Sequence, residues 1–275
     1  SGKRVVVVGS GATAVTIVPA MAAAAGHVTM LQRSPTHILP LPAQDVIANK
    51  ARAHLPPKVA YTAIRWKNIF WSQLSFQMSR RRPDWVRRFI RTEQEKILPT
   101  GYSYDPHLTP TYDPWDQRLC LAADGDFFRA LAGGGADIVT DTIETFTPAG
   151  IRLASGEELA ADIVVLATGL EMLPIGGIDL SVDGAQIDLP AEVSYKGAML
   201  SGVPNFVFTV GYTNASWTLK ADLVADYTCR LLPFMKRRGY TAFWPVAPED
   251  GGVAPIIDLN AGYVTRALDK LPRQG

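Results

Sequence analysis

Short apolar runs and longer periodic stretches alternate at the start of the chain and predict a β-α-β unit. Residues 5–8 are four consecutive valines, and such a continuous β-branched run is typical of a strand buried on both faces. The pattern of residues 15–25 predicts a helix that ends near Gly26 and that Pro19 kinks or shortens. Residues 28–31 predict a second short strand.

Prolines punctuate the next stretch, from about residue 34 to residue 115, and its pattern changes to amphipathic helices. Residues 60–79 and 85–98 each predict a helix with an apolar face. Because a simple crossover connection needs far fewer residues, this stretch indicates a helical insertion. The large apolar residues at helical spacing in the first helix are expected to be core residues: Trp66, Phe70, Trp71 and Leu74. Further along, the pattern predicts a short helix at 126–132, a strand at 136–140, a hairpin at 143–154, a buried strand at 162–167, a strand at 205–210 and a long helix at 216–237.

Composition and charge limit the classes of function. Of the 275 residues, 47% are hydrophobic and 19% are charged, which suits an ordinary buried core and excludes global disorder. A formal net charge of +1 gives no overall attraction to nucleic acid. Residues 50–98 carry 12 Lys and Arg against 3 Asp and Glu, a local charge of +9. For the arginines of this stretch we favour a solvated helix face, while attraction of a coenzyme, a partner or a membrane surface stays open.

The chain lacks the sequence signals of a membrane span, a secretory leader and a metal site. No apolar run reaches the roughly 18 residues that a membrane helix needs. Without a signal-peptide pattern, a cytoplasmic location is the expectation. The four histidines, His27, His37, His54 and His107, lack the spacing of metal ligands, so no metal is expected.

A glycine-rich motif, Gly9-x-Gly11-x-x-Ala14, lies between the first predicted strand and the helix. In this context Gly9 allows a tight turn, Gly11 lets the backbone approach a pyrophosphate, and Ala14 lets helix and strand pack closely. Free backbone N–H groups and the helix dipole then hold the anion. The alternative is a glycine turn with a structural role alone. The predicted cofactor-binding residues are Gly9, Ser10, Gly11, Ala12, Thr13 and Ala14.

The end of the second strand decides which dinucleotide is favoured. Sites for NAD and FAD usually place Asp or Glu there to bind the ribose hydroxyls, whereas this chain has Arg33 and Ser34. A guanidinium binds a 2′-phosphate in a bidentate manner that a carboxylate would oppose. These two residues therefore favour NADP, and the alternative is a surface arginine at a strand end.

The predicted strand at 162–167 runs directly into Thr168 and Gly169. A glycine at this point lets the backbone pass close to a ligand, so the pair is typical of a strand that ends at a nucleotide crevice. Such a strand and glycine are also common without any ligand.

Four segments together resemble one family. They are residues 3–14, 31–35, 162–169 and 202–216, which match in this order the class B flavoprotein monooxygenases, the group of Baeyer–Villiger and flavin-containing monooxygenases. The resemblance covers almost the whole chain. It implies an α/β fold with a Rossmann-like NADP-binding domain that carries a helical insertion, and with the C-terminal returning part of an FAD-binding domain.

The resemblance also implies a domain division. Residues 1–178 would form the NADP-binding domain, with the insertion at about 38–115, and residues 179–275 would form the partial FAD-domain return segment. The family carries two dinucleotide fingerprints, the first for FAD and the second for NADPH. Because this chain has one fingerprint, followed by an arginine, it is expected to be a fragment that lacks the N-terminal FAD fingerprint.

Residues 114–118 resemble the segment in which Baeyer–Villiger enzymes present an active-site arginine. By that resemblance Arg118 would lie over the flavin, where its fixed charge would stabilise a flavin peroxide anion. Baeyer–Villiger members usually have a lysine before this arginine, and this chain has Gln117. The alternative is a salt bridge from Arg118 to Asp113 or Asp116.

Gly211, Asn214 and Ser216 precede the long predicted helix. In the family this helix start faces the flavin, so the three residues are predicted contacts of FAD. The alternative is an ordinary helix cap, for which Asn214 and Ser216 are both suitable.

The function implied by the resemblance is NADPH- and FAD-dependent monooxygenation. Hydride would pass from NADPH to FAD, and O₂ would be activated as a C4a-peroxyflavin that oxygenates a ketone or an N or S centre of a small organic substrate. Two alternatives stay open: an NADPH reductase without flavin, and an NADP-binding module or inactive remnant. Apolar faces that would meet the missing domain predict self-association.

Overall fold

The chain divides into two compact units, Ser1–Gly169 and Leu170–Gly275. A computed structural model describes residues 2–117, 119–213, 215–247 and 252–275. Two predicted site residues, Arg118 and Asn214, lie outside the described residues.

The first unit is built on a sheet of four parallel strands. Its elements, in chain order, are β1 (Arg4–Val8), α1 (Ala12–Ala22), β2 (His27–Gln32), β3 (Ile38–Leu41), α2 (Val46–His54), α3 (Pro57–Arg81), α4 (Pro83–Glu95), β4 (Cys120–Ala123), α5 (Asp126–Ala132), β5 (Ala136–Thr140), β6 (Ile143–Thr147), β7 (Gly150–Leu153), β8 (Glu158–Ala160) and β9 (Ile163–Leu166). The parallel strands have the order β5-β2-β1-β9. Because β2 and β5 lie on one side of β1 and β9 on the other, the strand order reverses beside β1, and doubly wound folds bind nucleotides at such a point.

Different layers cover the two faces of this sheet. Val5 and Val7 share one core with Phe127 of α5 and with the buried side of α1. Val6 lies on the opposite face, in a core with Ile151 of the antiparallel sheet β6-β7-β8. The prediction that residues 5–8 form a strand buried on both faces is therefore confirmed, since each valine is at most 8% exposed.

The first helix starts and ends earlier than the sequence pattern predicts. Pro19 lies inside α1, which continues to Ala22 and is capped by Ala23 in the right-handed region. The prediction that the helix ends near Gly26 is wrong. Gly26 instead allows a close backbone approach, because a Cβ there would come within 2.8 Å of the carbonyl of Gly2.

Three helices stand between the parallel pair β3 and β4 and form the predicted insertion. The helices predicted at 60–79 and 85–98 are confirmed as α3 and α4. The prediction that the aromatic stripe of α3 is core is wrong, because Trp66, Phe70 and Trp71 are 66%, 61% and 57% exposed. Only Ala60 and Ser79 of this helix are buried, since among the described elements α3 contacts mainly α2 and α4.

The strand predicted at 162–167 is confirmed as β9, but its predicted burial is wrong. Ile163 is 43% exposed and Leu166 is 66% exposed. The reason is its position, because β9 pairs with β1 on one side only and is the edge of the sheet.

The second unit has smaller elements and one long helix. They are β10 (Ser181–Val182), β11 (Ala185–Gln186), β12 (Val193–Tyr195), β13 (Met199–Leu200), α6 (Trp217–Arg238), β14 (Ala254–Pro255), α7 (Gly262–Thr265) and β15 (Arg273–Gln274). The long predicted helix is confirmed as α6. The strand predicted at 205–210 is wrong, because isolated hydrogen bonds, and no strand ladder, tie this segment in the described chain. The N–H groups of Asn205, Phe208 and Val210 donate to the carbonyls of Phe243, Ala198 and Gly197. Among the described helices none is long and apolar enough to cross a membrane.

Candidate functional site

The glycine turn lies at the carboxyl end of β1, where the strand order reverses. The N–H of Gly9 donates to the carbonyl of Leu31 at 2.8 Å, and its φ is +133°. A Cβ on Gly9 would lie 2.3 Å from the carbonyl oxygen of Ala167, just after β9. Glycine is therefore needed here for two reasons that lie within the protein, the backbone conformation and the close passage of the neighbouring segment.

Gly11 differs, because nothing in the described protein demands a glycine there. Its φ of −77° and ψ of −177° are open to any residue, and a Cβ would meet nothing within 4 Å. It is the N-cap of α1, whose first turn has no acidic side chain and whose cap makes no side-chain hydrogen bond. Ala12 and Thr13 are exposed. Because the first N–H groups of a helix have no partner within the helix, this helix start suits an anion. Ala14 is fully buried and packs in the core between helix and sheet.

A hydrogen bond joins this turn to the end of β2. The hydroxyl of Ser10 donates to the carbonyl of Ser34 at 3.0 Å. Arg33 and Ser34 are both exposed. Within the described chain, the guanidinium of Arg33 has no hydrogen-bond or ion-pair partner, so its charge is available to a ligand. The structure therefore brings the turn and the predicted selector of the 2′-phosphate together.

A buried polar cluster, which the sequence analysis missed, holds the strand end in front of Arg33. Gln32 is 2% exposed, and its amide nitrogen donates to the carbonyl of His107 at 2.7 Å and to the hydroxyl of Thr140 at 2.9 Å. The His107 Nδ1 lies 2.8 Å from the same hydroxyl, and burial lowers the pKa of this imidazole. The cluster ties β2 and β5 to the segment that returns from the insertion. A polar residue at the end of an apolar strand was the available signal.

Thr168 and Gly169 follow β9 and are exposed. The N–H of Ala167 donates to the carbonyl of Val8 at 2.8 Å, which places the start of this segment beside the glycine turn. Gly169 has a φ of +98°, in the region that favours glycine. These residues thus leave the sheet at the carboxyl ends of the parallel strands, where the glycine turn also lies.

The neighbours of Arg118 in sequence are bound to the insertion helices. Asp116 pairs with Arg80 of α3, and Asp113 pairs with Arg87 of α4. Both carboxylates considered as alternative partners of Arg118 therefore have arginine partners from elsewhere. Arg118 itself lies outside the described residues.

The segment before Arg118 is also anchored by His37. The Nε2 of His37 lies 2.9 Å from the carbonyl of Tyr112, and the Tyr112 hydroxyl lies 2.9 Å from the hydroxyl of Thr36. Burial lowers the pKa of His37 and raises the pKa of Tyr112. Burial thus favours the neutral imidazole at the place where the segment around Tyr112 meets the residues before β3.

In the second unit, Gly211 and Ser216 shape the start of α6. A Cβ on Gly211 would lie 2.0 Å from the ring of Trp217, so the indole packs directly on this backbone. Ser216 is the N-cap, and its hydroxyl accepts from the N–H of Thr218 at 3.4 Å. Asn214 falls outside the described residues. In the part of the chain that is described, no group of three or more His, Cys, Asp or Glu suits a metal ion.

No protein-family model matches the chain. Among curated proteins, it is 50% identical over 277 residues to the FAD-containing monooxygenase EthA of Mycolicibacterium smegmatis, which covers 100% of this chain and 56% of that protein. It is 49% identical over 282 residues to the putative FAD-containing monooxygenase MymA of Mycobacterium tuberculosis, covering 100% and 57%. It is 46% identical over 277 residues to the probable FAD-binding monooxygenase AlmA of Acinetobacter baylyi, covering 100% and 55%.

Solved structures share the fold. A steroid monooxygenase bound to NADP matches with a TM-score of 0.67 at 18% identity, over 87% of this chain and 54% of that one. OTEMO in complex with FAD and NADP matches with a TM-score of 0.63 at 19% identity, over 88% and 53%. The predicted α/β fold is confirmed. The chain spans a little more than half the length of the curated relatives that it matches. Along its whole length, this chain is a homologue of the FAD-containing monooxygenases, as its motifs predicted.

Proposed function

We propose that the protein is an NADPH- and FAD-dependent monooxygenase and that this chain supplies its NADP site. The observation that carries the proposal is a hydrogen bond at the carboxyl ends of the parallel strands. Through it, Ser10 ties the glycine turn to the segment after β2 that contains Arg33. Sequence identities of 46–50% to proteins named as FAD-containing or FAD-binding monooxygenases support the same activity.

NADP fits the described residues at the glycine turn. The pyrophosphate would lie beside Gly11, where a Cβ would meet nothing within 4 Å, and the first N–H groups of α1 would donate to it. Arg33 would bind the 2′-phosphate in a bidentate manner, assisted by the Ser34 hydroxyl. We assign this site to a domain of residues 1–178 with its insertion at about 38–115.

FAD would contact this chain at two short segments that lie outside the glycine turn. The proposed contacts are Thr168 and Gly169 beside the turn, and Gly211, Asn214 and Ser216 in the second domain, residues 179–275. When bound, flavin reduced by NADPH supplies the electrons for inserting one atom of O₂ into an organic substrate. The chain itself carries one glycine-rich turn of the dinucleotide type, which it uses for NADP in this proposal.

Arg118 is the proposed catalytic residue. Two carboxylates close to it in sequence, Asp113 and Asp116, pair with arginines of the insertion helices. A fixed cation beside the flavin would stabilise negative charge that develops during oxygen transfer. In the whole protein loaded with FAD, Arg118→Ala should lower oxygenation by roughly a hundredfold, raise hydrogen peroxide release and leave NADPH affinity unchanged. Full product yield would remove Arg118 from this role.

The proposed substrate is a small ketone or a compound with an oxidisable N or S centre, with O₂ as co-substrate. A related fold has been solved as cyclohexanone-bound cyclohexanone monooxygenase, which supports a small organic substrate. A cytoplasmic location and self-association through exposed apolar faces are part of the same proposal.

The test compares the 275-residue chain with the whole gene product. We expect the chain to be colourless, to bind NADPH weakly and to leave NADPH unoxidised when FAD is added, because it lacks a second turn to anchor the flavin pyrophosphate. The whole product should be yellow and should consume NADPH and O₂ together. A whole product that binds NADPH but neither holds flavin nor transfers hydride would instead be an NADP-binding module, the second candidate that the single turn favours.

A further inference from the structure

The outer face of the insertion carries large apolar side chains in the open. Along α3, Val59, Trp66, Phe70 and Leu74 follow one another at helical spacing, with Trp71 beside them, and each is between 38% and 66% exposed. The side chain of Lys67 pairs with Asp45, so the first turn of α2 lies next to the middle of α3. That turn adds Val46 and Ile47, which are 60% and 64% exposed. We call these seven residues the insertion face.

The segment that carries the insertion face has charges of one sign. Residues 46–83, which include α2 and α3, contain no Asp or Glu and eight basic residues. Among the described residues, only two of the eight have an acidic partner: Lys67 with Asp45, and Arg80 with Asp116. The basic residues of this stretch are Lys50, Arg52, Lys58, Arg65, Lys67, Arg80, Arg81 and Arg82. An ordinary solvated surface intersperses both signs, so this face differs from one.

We propose that the insertion face docks on an anionic lipid bilayer. Helices that lie in the interface of a membrane combine Trp, Phe and Leu on one side with Lys and Arg on the other, and acidic lipids attract the basic residues. Long basic side chains can reach headgroup phosphates while their stems cover apolar surface. Trp66 and Trp71 suit the headgroup level, where indole is enriched.

Charge separates this occupant from two others. A second copy of the chain, seated face to face, would bring the same eight basic residues against the first set and would be repelled. The self-association proposed above is therefore assigned to other exposed apolar faces. A nucleic acid would attract the charges but would leave Val59 and Leu74 without an apolar partner. A bilayer with acidic headgroups satisfies both the charges and the apolar side chains.

The experiment measures binding of the purified whole gene product to vesicles by flotation, because the chain spans a little more than half the length of its relatives. Vesicles of phosphatidylcholine with about a third phosphatidylglycerol are compared with pure phosphatidylcholine at two ionic strengths. We expect binding to the anionic vesicles that weakens with salt, since exposed charges are screened over about a Debye length. Equal binding to both kinds of vesicle, or none to either, would overturn the proposal.

Two double variants test the two halves of the face. Lys50→Gln with Lys58→Gln should weaken binding about fivefold for each lysine. Trp66→Ser with Phe70→Ser should weaken it at least about tenfold, because both side chains would leave the apolar layer. Matched controls lie outside the insertion: Phe146→Ser on β6, which is 57% exposed, and Arg152→Gln on β7. Controls that lose binding as much as the variants would overturn the assignment to this face.

A spectroscopic readout distinguishes insertion from adsorption by charge. Brominated lipid should quench the tryptophan fluorescence of bound protein, and Trp66→Phe with Trp71→Phe should remove most of that quenching while binding remains. If the tryptophan fluorescence were not quenched and the protein bound duplex DNA as strongly as anionic vesicles, the face would bind polyanions in general and the proposal would be wrong. The face would instead be an interface with a second copy if two results came together. The parent protein would be an oligomer that binds no vesicles, and Trp66→Ser with Phe70→Ser would make it a monomer.

Discussion

Two stretches of the first unit carry large apolar side chains and differ in burial. The valines of β1 are at most 8% exposed, whereas Trp66, Phe70 and Trp71 of α3 are at least 57% exposed. The strand has cover on both faces, from α1 and α5 on one side and from the sheet β6-β7-β8 on the other. The helix contacts mainly α2 and α4. Periodicity therefore predicts the type of an element, while its burial depends on which layers the rest of the chain provides.

The largest expected effect contrasts a core aromatic with an exposed one. Phe127→Ala removes a fully buried ring and should lower the free energy of unfolding by about 3–5 kcal/mol. Trp66→Ala should change it by no more than about 0.5 kcal/mol, because the indole is mostly in solvent. Urea denaturation of both variants measures the difference. Similar losses would mean that α3 is packed in solution and that the contrast is wrong.

The next effect contrasts the two glycines of the turn. Gly9→Ala should cost more than about 1–3 kcal/mol of stability, because the strained φ adds to a collision with the Ala167 carbonyl. Gly11→Ala should cost less than about 1 kcal/mol, the scale of a changed N-cap, yet weaken NADPH binding. Thermal unfolding and titration calorimetry separate the two. If Gly11→Ala left NADPH affinity intact, the open space beside it would not be the pyrophosphate site.

A smaller effect contrasts two exposed features: Arg33, a proposed contact of the coenzyme, and the insertion face, a proposed contact of lipid. Arg33→Ala should weaken NADPH binding by about ten- to a hundredfold, since a charge-assisted hydrogen bond contributes about 1.5–3 kcal/mol. NADH binding should hardly change, and Arg33→Lys should fall between because it keeps the charge without the fork. Arg152→Ala, at an exposed site on β7, is the control. If calorimetry showed equal losses of affinity for NADPH and NADH, Arg33 would not bind the 2′-phosphate.

The smallest effect lies where the two regions join, at His37 beneath the segment that returns from the insertion. Burial lowers the pKa of His37 in the folded chain, so the unfolded chain binds the proton more readily. Its contribution to stability is therefore complete above the unfolded pKa, about 6.5, and is lost as the pH falls through the lower folded pKa. His37→Gln should flatten the decline of stability between about pH 7 and pH 5.

Denaturation midpoints across that range check the pH prediction. His54→Gln, which alters an exposed histidine of α2, is the matched control. A slope that is the same in the His37 variant and the parent chain would show that other groups govern the acid response.

Much of the candidate site was readable from sequence because its signals are local. The β-α-β unit, the glycine turn and Arg33 lie within the first 33 residues, and the order of strand, turn, helix and strand constrains how they meet. The cap of α6 at Ser216 was readable for the same reason, since it depends on a few neighbouring residues. Periodicity likewise predicted α3, α4 and α5.

Tertiary structure alone decided what depends on distant residues. Gln32 meets His107 and Thr140, which are 75 and 108 positions away, and no local pattern encodes that cluster. The edge position of β9 exposes Leu166 because no further strand pairs beyond it in the described sheet. The same holds for α3, whose apolar stripe is exposed because, among the described elements, the helix contacts mainly α2 and α4. Side-chain pattern is a property of a segment, whereas burial is a property of the layers that surround it.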